Sequence, residues 1–155
     1  MLPAWRIADP EFSQTPDDTL SGEGARLYGG RWNSVGNRVV YLSNNLGTAT
    51  VEILVHLENK SVLDKYHKLK VEFPEECVIS INESQLPPEW RNQTMTPITQ
   101  AIGDDWIDNK ESLILRIPST AVPGEYNYLL NPNHMDYSKL VIGEIETYIM
   151  DQRLR

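Results

Sequence analysis

The sequence contains one cysteine, Cys77, and therefore no intramolecular disulfide framework. A chain so poor in cysteine is typical of a reducing compartment, and it predicts a cytoplasmic protein. No run of about 18 apolar residues occurs, so no transmembrane helix and no membrane partner are expected. The first ten residues lack the basic and then apolar pattern of a secretory signal peptide, and none is predicted.

Basic residues are also scarce. The chain has 14 Lys and Arg against 22 Asp and Glu, which gives a net charge of −8. An acidic protein repels phosphate backbones at long range, so direct binding to nucleic acid and a nuclease activity are disfavoured. The same charge favours a basic protein partner. With 155 residues, of which 40% are hydrophobic, the sequence predicts one globular domain over residues 1–155.

Several catalytic and binding motifs are missing. The segment 22–34, GEGARLYGGRWNS, has four glycines but neither the third glycine of a dinucleotide loop nor a following G-K-[ST]. The three histidines, at positions 56, 67 and 134, do not have metal-ligand spacing, so no metal site is expected. No G-x-S-x-G motif is present, and the spacing of Ser119, His134 and Asp136 does not support a catalytic triad.

The clearest periodicity predicts a helix over residues 46–58. Leu46, Ala49 and Ile53 belong to one apolar stripe. Val51 and Val55 lie on the opposite side, so the helix is expected to be apolar almost all round and buried. A second helix is predicted from Pro97, with Thr96 as its N-cap and with Ile98, Ala101 and Ile102 facing inward.

The remaining patterns predict mainly strands. Residues 9–37 are rich in Gly, Pro, Asp, Ser and Asn and predict a long ordered loop, which in a compact domain is usually functional. Strands are predicted near the start of the chain, in 38–42, 68–73, 77–81, 112–118 and 126–130, and in a long final stretch, 139–150, with a bulge at Gly143. Strands outnumber helices and have short connections. This favours an α+β fold with mostly antiparallel pairing.

Four polar residues stand out as candidates for function. Arg31 lies in the glycine-rich segment, Tyr41 in a buried strand, and Ser119 directly after another strand. Each also has a structural interpretation: Arg31 in a surface ion pair, Tyr41 in the core with one hydrogen bond, and Ser119 as the cap of a turn. The fourth, Glu52, is a carboxylate in an apolar helix, which is costly unless it is paired. It is either paired with His56 or Arg31, or a catalytic carboxylate facing a pocket.

The segments 22–58 and 115–140 resemble the RES domain, the toxin of bacterial Xre–RES type II toxin–antitoxin pairs. The similarity extends from Trp5 to about Ile145, with only a loose match over residues 82–108. The family is named for an arginine, a glutamate and a serine. Arg31 in GGRWN, Glu52 in VEILVHL and Ser119 in IPS match them. Tyr41 in VVYLS matches the family's active-site tyrosine.

This resemblance implies an ADP-ribosyltransferase-like fold related to that of diphtheria toxin. It implies NAD as a substrate rather than as a tightly bound cofactor, and growth arrest through NAD loss. Hydrolysis, phosphorolysis and transfer of ADP-ribose to a protein all remain open. The implied partner is a cognate Xre-family antitoxin, and a homodimer is an assembly that the resemblance allows. A non-catalytic module that binds a nucleotide or a partner is the alternative from another class.

Roles for the candidate residues follow from the chemistry of the bond. Nicotinamide leaves easily, so the enzyme must stabilise an oxocarbenium-like ribose, a task that suits an ionised Glu52. Arg31 suits the pyrophosphate or ribose, Tyr41 the nicotinamide or its ribose, and Ser119 a phosphate, amide or ribose oxygen. Arg26 and Tyr28, in the same glycine-rich segment, are further candidates for NAD binding.

Overall fold

The computed structural model describes residues 1–57, 61–92 and 97–154. Eight strands are present in these ranges: β1 Leu2–Ala8, β2 Val40–Ser43, β3 Tyr66–Phe73, β4 Val78–Ser80, β5 Ile114–Pro118, β6 Tyr126–Leu130, β7 Val141–Ile142 and β8 Glu146–Tyr148. The α-helices of these ranges are α1 Pro16–Thr19, α2 Glu23–Tyr28, α3 Leu46–Leu57 and α4 Pro97–Asp108. Short 3₁₀ turns connect several of them.

The strands form one mixed sheet in the order β4-β5-β6-β2-β1-β3-β7, with β8 also pairing with β3. Strands β4 and β5 run parallel. Each of the other pairs is antiparallel. The expected α+β class with mostly antiparallel pairing is therefore confirmed.

The register of the central strands decides which side chains share a face. Tyr41 is opposite Leu129, and Ser43 is opposite Asn127, so all four side chains lie on one face of the sheet. A tryptophan-rich cluster covers one part of this face, with Leu129 inside it and Tyr41 packed against it. The alternate residues of the same strands belong to a second core cluster on the opposite face.

Helix α3 covers another part of the first face. Its bounds are Leu46–Leu57, and residue 58, the last of the predicted helix, lies outside the described residues. Its residue Ala49 packs in a buried cluster with Ile7 of β1. The expected burial all round is wrong, because Val51 is 36% exposed and Val55 is 56% exposed. The helix lies on the sheet and leaves its outer side to solvent.

The segment 9–37 contains more structure than the predicted loop. Helix α1 starts with a capping box in which Thr15 and Asp18 bind each other's backbone N–H groups. Helix α2 follows after Gly22.

The predicted final strand is divided into β7 and β8, which both pair with β3. Gly143 lies between them, and its N–H donates to the Lys70 carbonyl.

Helix α4 turns inward only part of the side that its apolar pattern predicts. Ile102 packs against the tryptophan-rich cluster, whereas Ile98 is 40% exposed and Ala101 is also exposed. Thr96, the predicted N-cap, lies outside the described residues.

The buried residues of α4 are Thr99, Gly103 and Trp106. Trp106 belongs to the tryptophan-rich cluster on the sheet, whereas Thr99 and Gly103 lie against the backbone of the loop that carries Arg31, which offers hydrogen-bonding groups.

Candidate functional site

The carboxylate of Glu52 projects from α3 toward the ends of β5 and β6. Its Oε1 accepts hydrogen bonds from Ser119 Oγ at 2.8 Å and from Asn127 Nδ2 at 2.9 Å. The side chain is 20% exposed. Two donors to one oxygen satisfy the buried part of the carboxylate and fix its orientation. The hydrogen-bond partners of the Glu52 carboxylate are therefore Ser119 and Asn127 rather than the expected cations, His56 and Arg31.

His56 lies one turn later on α3 and is largely exposed. Its Nδ1 is 2.7 Å from the backbone oxygen of Glu52 and 4.0 Å from Glu52 Oε2. The ring therefore hydrogen-bonds the helix backbone rather than the carboxylate. Within the described ranges, no hydrogen bond reaches Oε2, so this oxygen is available to a ligand.

The two donors to Glu52 are themselves held in place. Ser119 is fully buried, its N–H donates to the Glu125 carbonyl, and its Oγ accepts from Val122 N–H at 3.0 Å. Asn127 accepts from Ser43 Oγ at 2.9 Å through Oδ1, which directs Nδ2 toward Glu52. Ser119 is thus a turn cap and a carboxylate partner at the same time.

The hydroxyl of Tyr41 holds the glycine-rich loop. It accepts a hydrogen bond from Trp32 N–H at 3.0 Å and donates one to Asn33 Oδ1 at 2.7 Å. Gly30 lies so close that a Cβ there would be 2.5 Å from the hydroxyl oxygen. Burial raises the pKa of Tyr41, so the hydroxyl keeps its proton at neutral pH.

Arg31 directly precedes Trp32 and Asn33, the two residues that the Tyr41 hydroxyl binds. Its Nη1 donates to the Trp90 carbonyl at 3.0 Å. Partial burial lowers the pKa of Arg31, while the nearby negative charge of Glu52 and the oxygen of Tyr41 oppose that shift. An arginine retains its positive charge despite such a shift. The site therefore combines a fixed cation and a fixed carboxylate on one face of the sheet.

The structure brings together Arg31, Tyr41, Glu52 and Ser119. Arg26 donates from Nε to Glu23 at 2.9 Å, and Tyr28 is 78% exposed. Their contribution to NAD binding stays a prediction from the sequence.

Sequence reasoning missed Asn127, which binds Glu52 directly, and Asn33, which binds Tyr41. Asn127 contacts Glu52 from a different part of the fold, and Asn33 contacts Tyr41 from within the glycine-rich loop. Neither contact can be inferred from the neighbouring residues. The one signal in the sequence for Asn127 is an asparagine between two aromatic residues in a predicted strand, YNYLL.

Among residues 1–57, 61–92 and 97–154, no group of three or more His, Cys, Asp or Glu side chains is arranged to hold a metal ion. In the same ranges, no helix has the length and apolar content needed to cross a membrane.

Comparison with known proteins adds independent evidence. The family model described as RES domain matches residues 3–151. A protein named Toxin Res from Yersinia enterocolitica is 36% identical over 139 residues, which cover 88% of this chain and 91% of that protein. A protein named Prs ADP-ribosylating toxin, from a Sphingobium species, is 31% identical over 153 residues, covering 97% and 94% of the two chains.

A solved structure has a similar fold. A chain of the M. tuberculosis MbcT-MbcA toxin-antitoxin complex aligns with a TM-score of 0.75 over 98% of this chain and 85% of that chain. The two sequences are 15% identical in this alignment, so the likeness concerns the fold.

Proposed function

This chain belongs to the RES domain family and is a toxin of a toxin–antitoxin system, and we propose that it acts by cleaving the nicotinamide–ribose bond of NAD. The observation that carries this proposal is the carboxylate of Glu52, held through one oxygen by Ser119 and Asn127 and left with its other oxygen available. Arg31 supplies a cation on the same face of the sheet.

Cleavage of this bond needs little acid catalysis, because nicotinamide departs as a neutral molecule from a cationic nucleotide. The ribose carbon becomes electron-poor and resembles an oxocarbenium ion in the transition state. A negative charge fixed beside it stabilises that state without reorganising at the moment of reaction. Glu52 suits this role, since its Oε1 is held by two hydrogen bonds and its Oε2 can accept a hydrogen bond from a ribose hydroxyl.

Arg31 is proposed to bind the pyrophosphate. A chain with a net charge of −8 repels an anionic dinucleotide at long range, so binding requires a local cation. The guanidinium offers several donors, of which Nη1 is used by the Trp90 carbonyl. The remaining donors can form a charge-assisted fork with phosphate oxygens.

Tyr41 and Ser119 are proposed to act mainly by holding these charges. The Tyr41 hydroxyl is occupied by Trp32 and Asn33, so Tyr41 offers its ring rather than its hydroxyl to a bound nucleotide. The Ser119 hydroxyl donates to Glu52 and accepts from Val122. No tightly bound cofactor enters the proposed reaction, in which NAD is the substrate.

Transfer of ADP-ribose to a protein is the second candidate function. It is supported by the 31% identity with a relative that is named Prs ADP-ribosylating toxin. The same Glu52 and Arg31 would act, and a nucleophile of the target protein would replace water or phosphate as the acceptor.

The proposed partner is a cognate Xre-family antitoxin with a basic contact surface. The acidic net charge favours such a surface, and the solved structural neighbour comes from a toxin-antitoxin complex. We propose that residues 1–155 act as a single RES domain in the cytoplasm and that unneutralised activity arrests growth. Co-purification of the adjacent gene product with the wild-type chain tests the partner.

Nicotinamide release from NAD tests the activity. Purified protein is incubated with NAD in phosphate-free buffer, in phosphate, and with an extract that supplies acceptor proteins. Nicotinamide release in phosphate-free buffer supports hydrolysis, release that requires phosphate supports phosphorolysis, and ADP-ribose attached to a protein supports transfer. Absence of nicotinamide release in all conditions contradicts the proposed reaction.

A further inference from the structure

One side of helix α4 is built to bind the backbone of the loop that carries Arg31. We call residues 29–37 the Arg31 loop. Thr99 and Gly103 are one helical turn apart, and Gln100 and Asp104 form the adjacent pair with the same spacing, so all four residues share one side of the helix. Thr99 and Gly103 are buried there.

The first half of this helix side binds carbonyl groups of the Arg31 loop. Thr99 Oγ1 donates to the carbonyl of Arg31 at 2.6 Å. Gln100 Nε2 donates to the carbonyl of Gly30 at 3.0 Å and to that of Asn33 at 3.3 Å. The backbone on both sides of Arg31 is therefore fixed by side chains of α4.

Asp104 binds the second half of the loop. Its Oδ1 accepts from Ser34 N–H at 2.9 Å and from Asn37 Nδ2 at 2.7 Å, and its Oδ2 accepts from Ser34 Oγ at 2.6 Å. Hydrogen bonds to an ionised carboxylate are stronger than those between neutral groups. Asp104 consequently provides the strongest single attachment of the loop to the helix.

A glycine keeps the helix and the loop close enough for these bonds. The Trp32 backbone lies against Gly103 so closely that a side chain at position 103 would overlap the Trp32 carbonyl. On the sheet side, the Tyr41 hydroxyl holds Trp32 and Asn33. The Arg31 loop is thus held between β2 and α4.

We propose that Asp104 is a positioning residue for NAD binding: helix α4, through Asp104, holds the Arg31 loop so that the Arg31 guanidinium meets the pyrophosphate. This proposal rests on the proposed function. Arginine has a long side chain with many rotamers, so its aim depends on the position of its backbone. Glu52 lies on α3 and is held by Ser119 and Asn127, so a loosened loop leaves the carboxylate in place. Loss of Asp104 should therefore raise the KM for NAD and leave kcat nearly unchanged.

Asp105 provides a matched control, because it is the exposed neighbour on the same helix and its loss changes the charge equally. The variants are Asp104→Ala, Asp104→Asn and Asp105→Ala, and nicotinamide release gives KM and kcat. We expect Asp104→Ala to raise KM about tenfold or more, with kcat within about twofold of wild type. Asparagine can still accept from Ser34 N–H and Asn37, so Asp104→Asn should recover most of the affinity. Asp105→Ala should behave as wild type.

A KM for Asp104→Ala equal to that of Asp105→Ala would overturn the proposal. A fall in kcat of Asp104→Ala as large as its rise in KM would overturn it as well. Should Asp104→Ala fail to fold, Ser34→Ala is the second variant, because it removes only the hydrogen bond to Asp104 Oδ2. It should give a smaller rise in KM, and an unchanged KM in Ser34→Ala would contradict the proposal. Amide hydrogen exchange of residues 29–37 gives a readout that does not depend on NAD. We expect faster exchange of these amides in Asp104→Ala than in Asp105→Ala, and equal exchange in the two variants overturns the positioning role. Failure of the wild-type protein to release nicotinamide is a separate result, and it counts against the proposed function instead.

Discussion

Ser119 and Glu52 are 67 residues apart in the sequence and joined by a hydrogen bond of 2.8 Å, from Oγ to Oε1. The fully buried serine also caps the turn that follows β5. The position of the carboxylate is thus coupled to the end of a central strand.

The Ser119→Ala substitution should reduce both stability and turnover. It removes a donor to Glu52 and leaves the partly buried Val122 N–H without its acceptor, which costs about 1–3 kcal/mol of the free energy of unfolding. We expect kcat for nicotinamide release to fall more than KM changes, because the carboxylate loses part of its orientation. Urea unfolding and steady-state kinetics measure the two effects. The exposed Ser138 offers a control, since Ser138→Ala should alter neither.

The Asn127→Asp substitution should place a second negative charge against Oε1 of Glu52. The present amide donates to that oxygen at 2.9 Å, whereas a carboxylate there repels it. We expect lower stability at neutral pH than in the wild-type protein and a large loss of nicotinamide release. Acidification should recover part of the stability, since one of the two carboxylates can then take up a proton. The control is Asn133→Asp, at an exposed position. Equal losses of stability and of nicotinamide release in the two variants would contradict the specific role of Asn127.

Substitution of Arg31 should act mainly on affinity. Arg31→Ala removes the proposed contact with the pyrophosphate and should raise the KM for NAD by about tenfold to a hundredfold, since charge-assisted hydrogen bonds contribute about 1.5–3 kcal/mol. Arg31→Lys keeps the positive charge without the planar fork, so its KM should lie between those of the wild-type protein and Arg31→Ala. The comparison is with Arg153→Ala, which removes an arginine whose side chain is 91% exposed. An unchanged KM in Arg31→Ala would disprove the binding role.

The Tyr41→Phe substitution should change the alkaline stability of the protein. Burial raises the pKa of Tyr41 above its ordinary value of 10.0, so the folded state retains a proton that the unfolded state loses. This contribution is fully present below about pH 10 and is lost as the pH rises toward the pKa in the folded protein. Chemical unfolding between about pH 9 and 11 should therefore show a less steep loss of stability in Tyr41→Phe than in wild type. Identical slopes would mean that the hydroxyl is not buried in the folded state.

The same substitution should also lower stability at neutral pH. It leaves Trp32 N–H and Asn33 Oδ1 without their partner, a cost of about 1–3 kcal/mol. Because the hydroxyl holds the Arg31 loop, KM for NAD should rise as well. Urea unfolding at pH 7 and steady-state kinetics measure these effects.

The parts of the fold that depend on local pattern could be predicted from the sequence. The apolar stripe of residues 46–58 predicts the position of α3, and the strand predicted in 68–73 lies within β3. The cost of a carboxylate in an apolar helix marks Glu52 as paired or functional. Each of these inferences needs only neighbouring residues.

The contacts that complete the site depend on pairing between distant strands. Asn127 reaches Glu52 because β6 lies between β5 and β2, and no local pattern specifies that order. The inward side of α4 was predicted only in part: Ile102 packs against the tryptophan-rich cluster, whereas Ile98 and Ala101 are exposed. Thr99 and Asp104 face a loop whose backbone groups require hydrogen bonds, and only the tertiary structure reveals that surface.

The most direct test of the central claim is the rate of nicotinamide release by Glu52→Gln at saturating NAD. Glutamine can still accept from Ser119 and Asn127, so the fold should persist, as circular dichroism and urea unfolding would verify, while the fixed negative charge is lost. The exposed Glu144→Gln is the control and should match wild type. We expect Glu52→Gln to release nicotinamide at least about a hundredfold more slowly, the usual effect of removing electrostatic stabilisation of a transition state. Release at the wild-type rate would contradict the account.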